Sequence, residues 1–328
     1  MLQMLNKNGW AAPAFLLMAM LLPVSGCDSG DPGFHEPEPV VEAWLISGEL
    51  MPQVRLTWSQ SVETRYGSEA VGVVDAQVTI SRVDPGVALQ RSVSYAPVSS
   101  TPEQPGTVET GIYLPVAVEG QLPRVAPGAT YELRAEVPGY PVVTSRTTVP
   151  GDFDLIGVQN QEVVYQSTEQ IEIDVTNSDY PNRDAVYIIS IESLEASIEN
   201  LTPFLRDALY SIGADESFDP STLDPEELSE VVFQSSPPLN EANWEINADE
   251  SLTLKMPWFF AAFYGVQEIT VSAIDDNVWN HFRYVNAQEG NGGFAPGEIP
   301  NVEAGVAQGW GLFGSLTRVK TRVDILRE

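Results

Sequence analysis

The sequence predicts a mainly β protein in which an N-terminal sandwich of antiparallel strands is followed by a β-rich α+β domain with helical insertions. Three observations lead to this fold class. Short runs of alternating apolar and polar residues recur between residues 40 and 149, as expected for strands with one buried face. Similar runs return beyond residue 150. Between those later runs, two stretches space their apolar residues as helices do.

The N-terminal segment is organised as a bacterial signal peptide. Lys7 is its only charged residue, and the apolar run that follows is too short for a comfortable membrane span. Cys27, the only cysteine of the chain, comes directly after a segment that resembles a lipobox, made of Val24, Ser25 and Gly26. We therefore expect cleavage before Cys27 and attachment of acyl chains such as palmitate to it. The alternative is a signal for soluble secretion in which the cysteine is incidental.

Residues 27–39 follow the signal segment (residues 1–26) and combine glycine, proline and acidic residues with almost nothing to bury. They are expected to form a flexible tether. Because lipidation would use the sulfur of Cys27, no thiol would remain for disulfides, nucleophilic catalysis or thiolate-bound metals.

The charge balance is strongly acidic, with 46 Asp and Glu against 16 Lys and Arg and a formal net charge of −30. Such a surface repels nucleic acids and anionic headgroups, which argues against both as partners of the folded part. The acidic residues are scattered and lysine is nearly absent, as in halophile-like proteins that stay soluble in high salt. The alternative is a surface that attracts cations or basic partners.

Seven alternating runs occupy residues 40–150. They begin at Val41, Gln53, Val74, Val87, Gly111, Tyr131 and Val142. Seven strands in about 110 residues match an immunoglobulin-like or fibronectin-III-like sandwich. Pro127 and Gly128 precede Tyr131 in the pattern of a tyrosine corner, whose hydroxyl bonds to the backbone of the turn. A contact between Tyr131 and a ligand is the weaker alternative.

Pro150 and Gly151 mark the start of a second domain, residues 151–328. Helical spacing predicts a helical excursion at about residues 199–233, in which a capping box at Asp224 marks a second helix start. It also predicts a short helix at about residues 276–288, capped by Asp275. The predicted strands of this domain cover residues 171–175, 185–194, 251–256, 267–274 and 318–326.

Motifs for catalysis are missing from the sequence. Two histidines leave no histidine–glutamate metal helix and no ordinary catalytic triad. We therefore predict no catalytic residue, cofactor or metal, and no enzymatic activity. Carboxylates between Asp215 and Asp224 could hold calcium, but they lack the ladder of a known calcium loop, and a solvated loop is favoured. Residues 309–314 match G-x-G-x-x-G, yet a strand pattern follows them, so their glycines are interpreted as allowing close backbone approach.

Aromatic residues are concentrated in the C-terminal half of the chain. An exposed group of them could stack on sugar or bind a partner, and the alternative is that they belong to the core. The residues proposed for such a ligand or partner surface are Trp258, Phe259, Tyr264 and Trp310.

Several short segments, in this order along the chain, resemble the family catalogued as domain of unknown function 4249. The segments are residues 38–44, 73–80, 127–133, 147–150, 282–284, 300–303 and 309–314. The resemblance implies an outer-membrane lipoprotein that is often encoded beside a TonB-dependent receptor and has no assigned enzyme activity. The helical excursion at residues 200–233 and Asp28 depart from the family pattern. Whether the protein faces the periplasm or the cell surface is left open.

These observations lead to one functional hypothesis and two alternatives. We expect a lipid-anchored, non-enzymatic binding or accessory component of a TonB-dependent uptake system, with a glycan or a peptide as ligand. The first alternative is a carboxylate-based surface glycan hydrolase, which needs two facing carboxylates beside exposed tryptophans. The second is a purely structural envelope lipoprotein.

Overall fold

The computed structural model describes residues 36–61, 71–84, 92–98, 110–117, 120–212, 224–225, 227–228, 234–240, 243–288 and 305–327. The signal segment, the lipobox, Cys27 and most of the tether lie outside the described residues. Contacts divide the chain into two units, residues 1–37 and residues 38–328, and every element below belongs to the second. Among the described residues, no helix has both the length and the apolar character needed to span a membrane.

The N-terminal half forms strands at all seven predicted places. The strands are β1 (Pro39–Ile46), β2 (Val54–Trp58), β3 (Gln77–Arg82), β4 (Ser92–Pro97), β5 (Ile112–Pro115), β6 (Thr130–Glu136) and β7 (Val143–Thr148). The third strand begins at Gln77 rather than at Val74, because the side chain of Val74 is exposed and the segment before it bridges to β2.

The C-terminal half is also β-rich, as predicted, and it contains two α-helices among its described residues. Its strands are β8 (Leu155–Gln159), β9 (Glu162–Val164), β10 (Ile171–Val175), β11 (Val186–Ser193), β12 (Gln234–Ser235), β13 (Glu245–Ile246), β14 (Leu252–Met256), β15 (Gly265–Ile274), β16 (Val306–Ala307) and β17 (Trp310–Leu326). The helices are α1 (Pro203–Ile212) and α2 (Asp276–Gln288). The mainly β fold class is therefore confirmed.

The predicted capping box of the helical excursion is present. The backbone N–H of Glu227 donates to Asp224 Oδ1 at 2.9 Å, and the backbone N–H of Asp224 donates to Glu227 Oε2 at 3.1 Å. These two bonds satisfy backbone donors that a helix start leaves open. The rest of the acidic loop, from Asp215 to residue 223, lies outside the described residues.

Most of the described strands belong to one large curled sheet. Within the described ranges it contains thirteen strands in the order β12-β11-β15-β17-β1-β2-β5-β4-β3-β6-β7-β16, with β9 beside β17. A four-stranded sheet, ordered β13-β14-β10-β8, makes up the remainder. The seven N-terminal strands are consecutive in a single hydrogen-bonded path, so an immunoglobulin-like arrangement of two packed sheets stays a prediction.

Buried apolar side chains form two main cores that divide near Pro150. One core lies among residues 41–149 and is completed by Val306 and Phe313, and the other lies among residues 153–325. Strand β17 supplies residues to both cores and pairs with β1 on one side and β15 on the other. The division into two domains at residue 150 stays a prediction.

The parallel pairing of β1 with β17 requires glycine at position 311. Gly311 lies directly opposite Val41 in the register, and its φ is +109°. A Cβ atom there would stand 1.9 Å from the carbonyl oxygen of Val41. This contact confirms the close backbone approach that was expected in residues 309–314. The segment leads into β17 and not into a helix.

Tyr131 has the hydrogen bond that a tyrosine corner requires. Its side chain is buried, and its hydroxyl accepts a hydrogen bond of 2.9 Å from the backbone N–H of Ala126. The bond links the start of β6 to the turn that precedes it.

Gly311→Ala is expected to lower the free energy of unfolding by about 3 kcal/mol or more, since it adds both a strained φ and a backbone clash. Gly157→Ala is the matched control, because a Cβ there meets nothing within 4 Å. Chemical denaturation of the two variants in high salt measures the difference. Equal stabilities would contradict the required approach of β17 to β1.

Tyr131→Phe should cost about 1–2 kcal/mol of stability, because it leaves the N–H of Ala126 without its partner. Tyr95→Phe is the control: the Tyr95 hydroxyl is buried and has no hydrogen-bond partner among the described residues. Its removal should therefore be neutral or stabilising. Denaturant midpoints report both effects, and a larger loss for the Tyr95 variant would refute the assignment.

Candidate functional site

An open groove of about 410 Å³ lies on the outward face of β1 and β2. Strand alternation turns Val40, Glu42, Arg55 and Thr57 away from the core, because Val41 and Leu56 point into it. Trp58 shares the face of Leu56 and packs partly against the core. The lining residues are Val40, Glu42, Arg55, Thr57, Trp58, Ser59, Gln60 and Ser61.

Trp310 lies beside this groove on the neighbouring strand. In the register, Val40 is opposite both Thr57 of β2 and Trp310 of β17. The side chain of Trp310 is 54% exposed, and its indole N–H donates to the carboxylate of Glu38. The backbone of Glu38 is bonded to Ser59, a groove residue, at 2.8 and 2.9 Å. The indole is therefore held at the end of the groove.

The groove offers hydrogen-bonding groups of both kinds. Glu42 and Arg55 lie directly opposite each other, so their charges balance locally. Thr57 contributes a hydroxyl. Ser59, Gln60 and Ser61 add further polar side chains to the lining.

Two of the other predicted aromatic residues lie in a different place. Trp258 and Tyr264 contact Tyr165 edge to face, with centroid distances of 5.7 and 5.5 Å. Both are half-buried and pack against the C-terminal core, and the guanidinium of Arg327 lies 4.6 Å from the Tyr264 ring. The side chain of Phe259 lies outside the described residues.

The structure does not bring Trp310 together with Trp258 and Tyr264. Gly265, next to Tyr264, pairs with Ile325 near the C-terminal end of β17, whereas Trp310 begins that strand. At about 3.3 Å per residue, the two positions on β17 are on the order of 50 Å apart. The four predicted residues therefore do not form one surface, and Trp310 is the one beside a groove.

A second cavity, of about 420 Å³, lies between β7 and the start of α2. Asp275 is buried at its base and caps α2: its Oδ1 accepts the backbone N–H of Val278 at 2.9 Å. Its Oδ2 accepts the hydroxyl of Thr147, whose oxygen is 2.6 Å from Ser315 Oγ. The predicted cap of α2 is confirmed, and these bonds tie the helix to β7 and β17.

Burial raises the pKa of Asp275 to about 6, although hydrogen bonds from Thr147 and Val278 lower it in part. The next residue, Asp276, is exposed and pairs with Arg183 at 2.7 Å. The guanidinium of Arg183 lies 3.8 Å from the centroid of the Tyr180 ring. Both carboxylates are thus used in holding α2 in place.

The hydrolase hypothesis requires two facing, buried carboxylates beside exposed tryptophans. Among the described residues, Asp275 is the buried carboxylate, and both of its oxygens are engaged. No observation at this cavity favours that hypothesis. Within the same ranges there is also no group of three or more His, Cys, Asp or Glu side chains able to hold a metal ion, and calcium at the acidic loop stays untested.

A family model described as Domain of unknown function (DUF4249) matches residues 31–322. The match includes the groove on β1 and β2, Trp310 and both cores except Val323 and Ile325. No curated protein matches the chain.

Asp275→Asn should change how stability depends on pH. The folded-state pKa of about 6 exceeds the ordinary value of 3.8, so the carboxyl's contribution is complete below pH 3.8 and is lost as the pH rises through 6. Asparagine keeps the cap and donates to Thr147, which in turn donates to Ser315. The free energy of unfolding of the variant, relative to the parent, should rise by about 2 kcal/mol between pH 4 and pH 7. A difference that is constant with pH would contradict this.

Proposed function

Given that the chain belongs to the family described as Domain of unknown function (DUF4249), we propose that it is a lipid-anchored envelope protein. In this proposal it works, without enzymatic activity, as a ligand-binding or accessory component of a TonB-dependent uptake system in the outer membrane. The proposal has three parts, which are the anchor, the binding surface and the receptor.

The sequence supports the anchor. The lipobox residues precede Cys27, and 11 residues separate this cysteine from the first residue of β1. Fully extended, that length of chain reaches about 40 Å. The folded unit would therefore stay close to the membrane while keeping freedom to reorient.

The exposed indole of Trp310 beside the groove is the observation that supports a binding function. Large aromatic side chains are normally buried, and an exposed one beside convergent polar groups is typical of recognition surfaces. The bond from its N–H to Glu38 holds the ring in one orientation. A fixed ring loses little conformational freedom when a ligand binds.

The receptor partner follows from the family resemblance described above. A tethered protein beside a barrel receptor is held at a high effective concentration. Weak contacts would then suffice to keep the two proteins together, and a shallow binding surface would be adequate for passing a ligand on.

Crosslinking and affinity purification of the tagged, intact lipoprotein tests the proposal. Membranes should be solubilised at the native salt concentration, because low salt exaggerates the attraction of an acidic protein for basic ones. We expect the protein to incorporate labelled palmitate and to recover a TonB-dependent receptor in stoichiometric amounts.

Cys27→Ser is the matched control for this experiment, and it should lose the palmitate label, the membrane fraction and the receptor together. Recovery of the anchored protein without a receptor would reject the uptake role. Persistent membrane attachment of the Cys27→Ser variant would reject the lipid anchor.

A further inference from the structure

We propose that the groove beside Trp310 binds a neutral oligosaccharide, with one sugar ring stacked on the exposed indole. This inference rests on the proposed binding function and names the chemical class of the ligand. Three features of the groove support it. The indole of Trp310 is held by Glu38, the charges of Glu42 and Arg55 balance, and the edges of β1 and β2 are already paired.

The indole supplies the apolar half of a sugar site. A pyranose ring has one face of C–H groups, which packs on the flat surface of an aromatic ring. Trp310 is 54% exposed and is fixed through Glu38 to Ser59 at the end of the groove. A sugar on the indole would therefore have its neighbouring unit over Val40 and Thr57, which are the next positions across the sheet.

The polar lining supplies the other half. Each sugar hydroxyl is both a donor and an acceptor, so a saccharide site needs both kinds of partner. In the lining, Glu42 is an acceptor, Arg55 is a donor and Thr57 is both.

Charge favours a neutral saccharide over an acidic one. Glu42 and Arg55 oppose each other across β1 and β2, and the carboxylate of Glu38 is bonded to the indole. The groove therefore has no excess positive charge to attract an anion. The net charge of −30 repels uronic-acid chains as well.

A peptide added as an extra strand does not fit this place. Strand β1 is paired with β17 and β2 on its two edges, and β2 is paired with β5 and bridged to residues 71 and 73 on its other edge. Their backbone groups are therefore occupied, and strand addition needs a free edge. What the groove presents to a ligand is side chains.

The test uses the intact lipoprotein in detergent at its native salt concentration. Maltohexaose, cellohexaose, xylohexaose and mannohexaose are titrated by calorimetry, with hexagalacturonate and a lysine-rich hexapeptide as competitors of other classes. We expect at least one neutral hexasaccharide to bind with a Kd between micromolar and millimolar. Trp310→Ala should weaken it about tenfold or more, and Trp310→Phe, which keeps a smaller ring, should fall between.

Tyr284→Ala is the control, because Tyr284 is an exposed aromatic residue of α2 (43% exposed) that is not part of the groove lining. It should leave the affinity unchanged. Circular dichroism checks that the variants are folded, which the exposure of Trp310 leads us to expect.

Two results would overturn the saccharide proposal: no binding of any of the four neutral sugars, or tighter binding of the hexagalacturonate or the peptide. An affinity for the sugar that is unchanged by Trp310→Ala would also reject the proposal, because the sugar would then bind at another site. Recovery of a receptor in the purification experiment, together with any of these results, would leave the uptake role standing and reject only the ligand class.

Discussion

The parallel pairing of β1 with β17 is the interaction on which the rest of the structure depends. It joins the first strand to the last along seven register positions, from Val40 with Trp310 to Ile46 with Leu316. On its other side β17 pairs with β15 over ten positions, so the strands of the N-terminal half and β11, β12 and β15 of the C-terminal half belong to one sheet. Gly311 permits the pairing, because any side chain there would collide with Val41. The N-terminal core is thus complete only when the C-terminal end of the chain is in place.

Features set by neighbouring residues could be predicted from the sequence. The period-two pattern located β10 at residues 171–175, and short-range capping chemistry located the starts at Asp224 and Asp275. The two-residue strands β12, β13 and β16 are too short to show any period. The pairing of β1 with β17 could not be predicted either, because nothing local records which strand a distant segment will meet.

The candidate site shows the same limit. Alternation alone puts Arg55 and Thr57 on the opposite face of β2 from Leu56, but only the register shows that they lie opposite Glu42 and Val40. The composition placed Trp310 in one group with Trp258 and Tyr264. In the fold, Trp310 is the first residue of β17, whereas Gly265, next to Tyr264, pairs with Ile325 near the other end of that strand. An aromatic residue can be counted in a sequence, whereas its exposure depends on the strands beside it. For Trp310 the missing information was that β1 lies next to it.

The same pairing places the groove where the tether enters the fold. Glu38 is the residue before β1, and it bonds both to the indole of Trp310 and to Ser59 in the groove wall. A pull applied along β1 from the residues before it would load its hydrogen bonds to β17 and β2 together, in shear. Bonds loaded in shear share the force, so the strand resists extraction better than if they opened one at a time. Should Cys27 carry lipid as proposed, β1 is the strand that would take the load from the anchor, and Val40 and Glu42 of the groove lie on it.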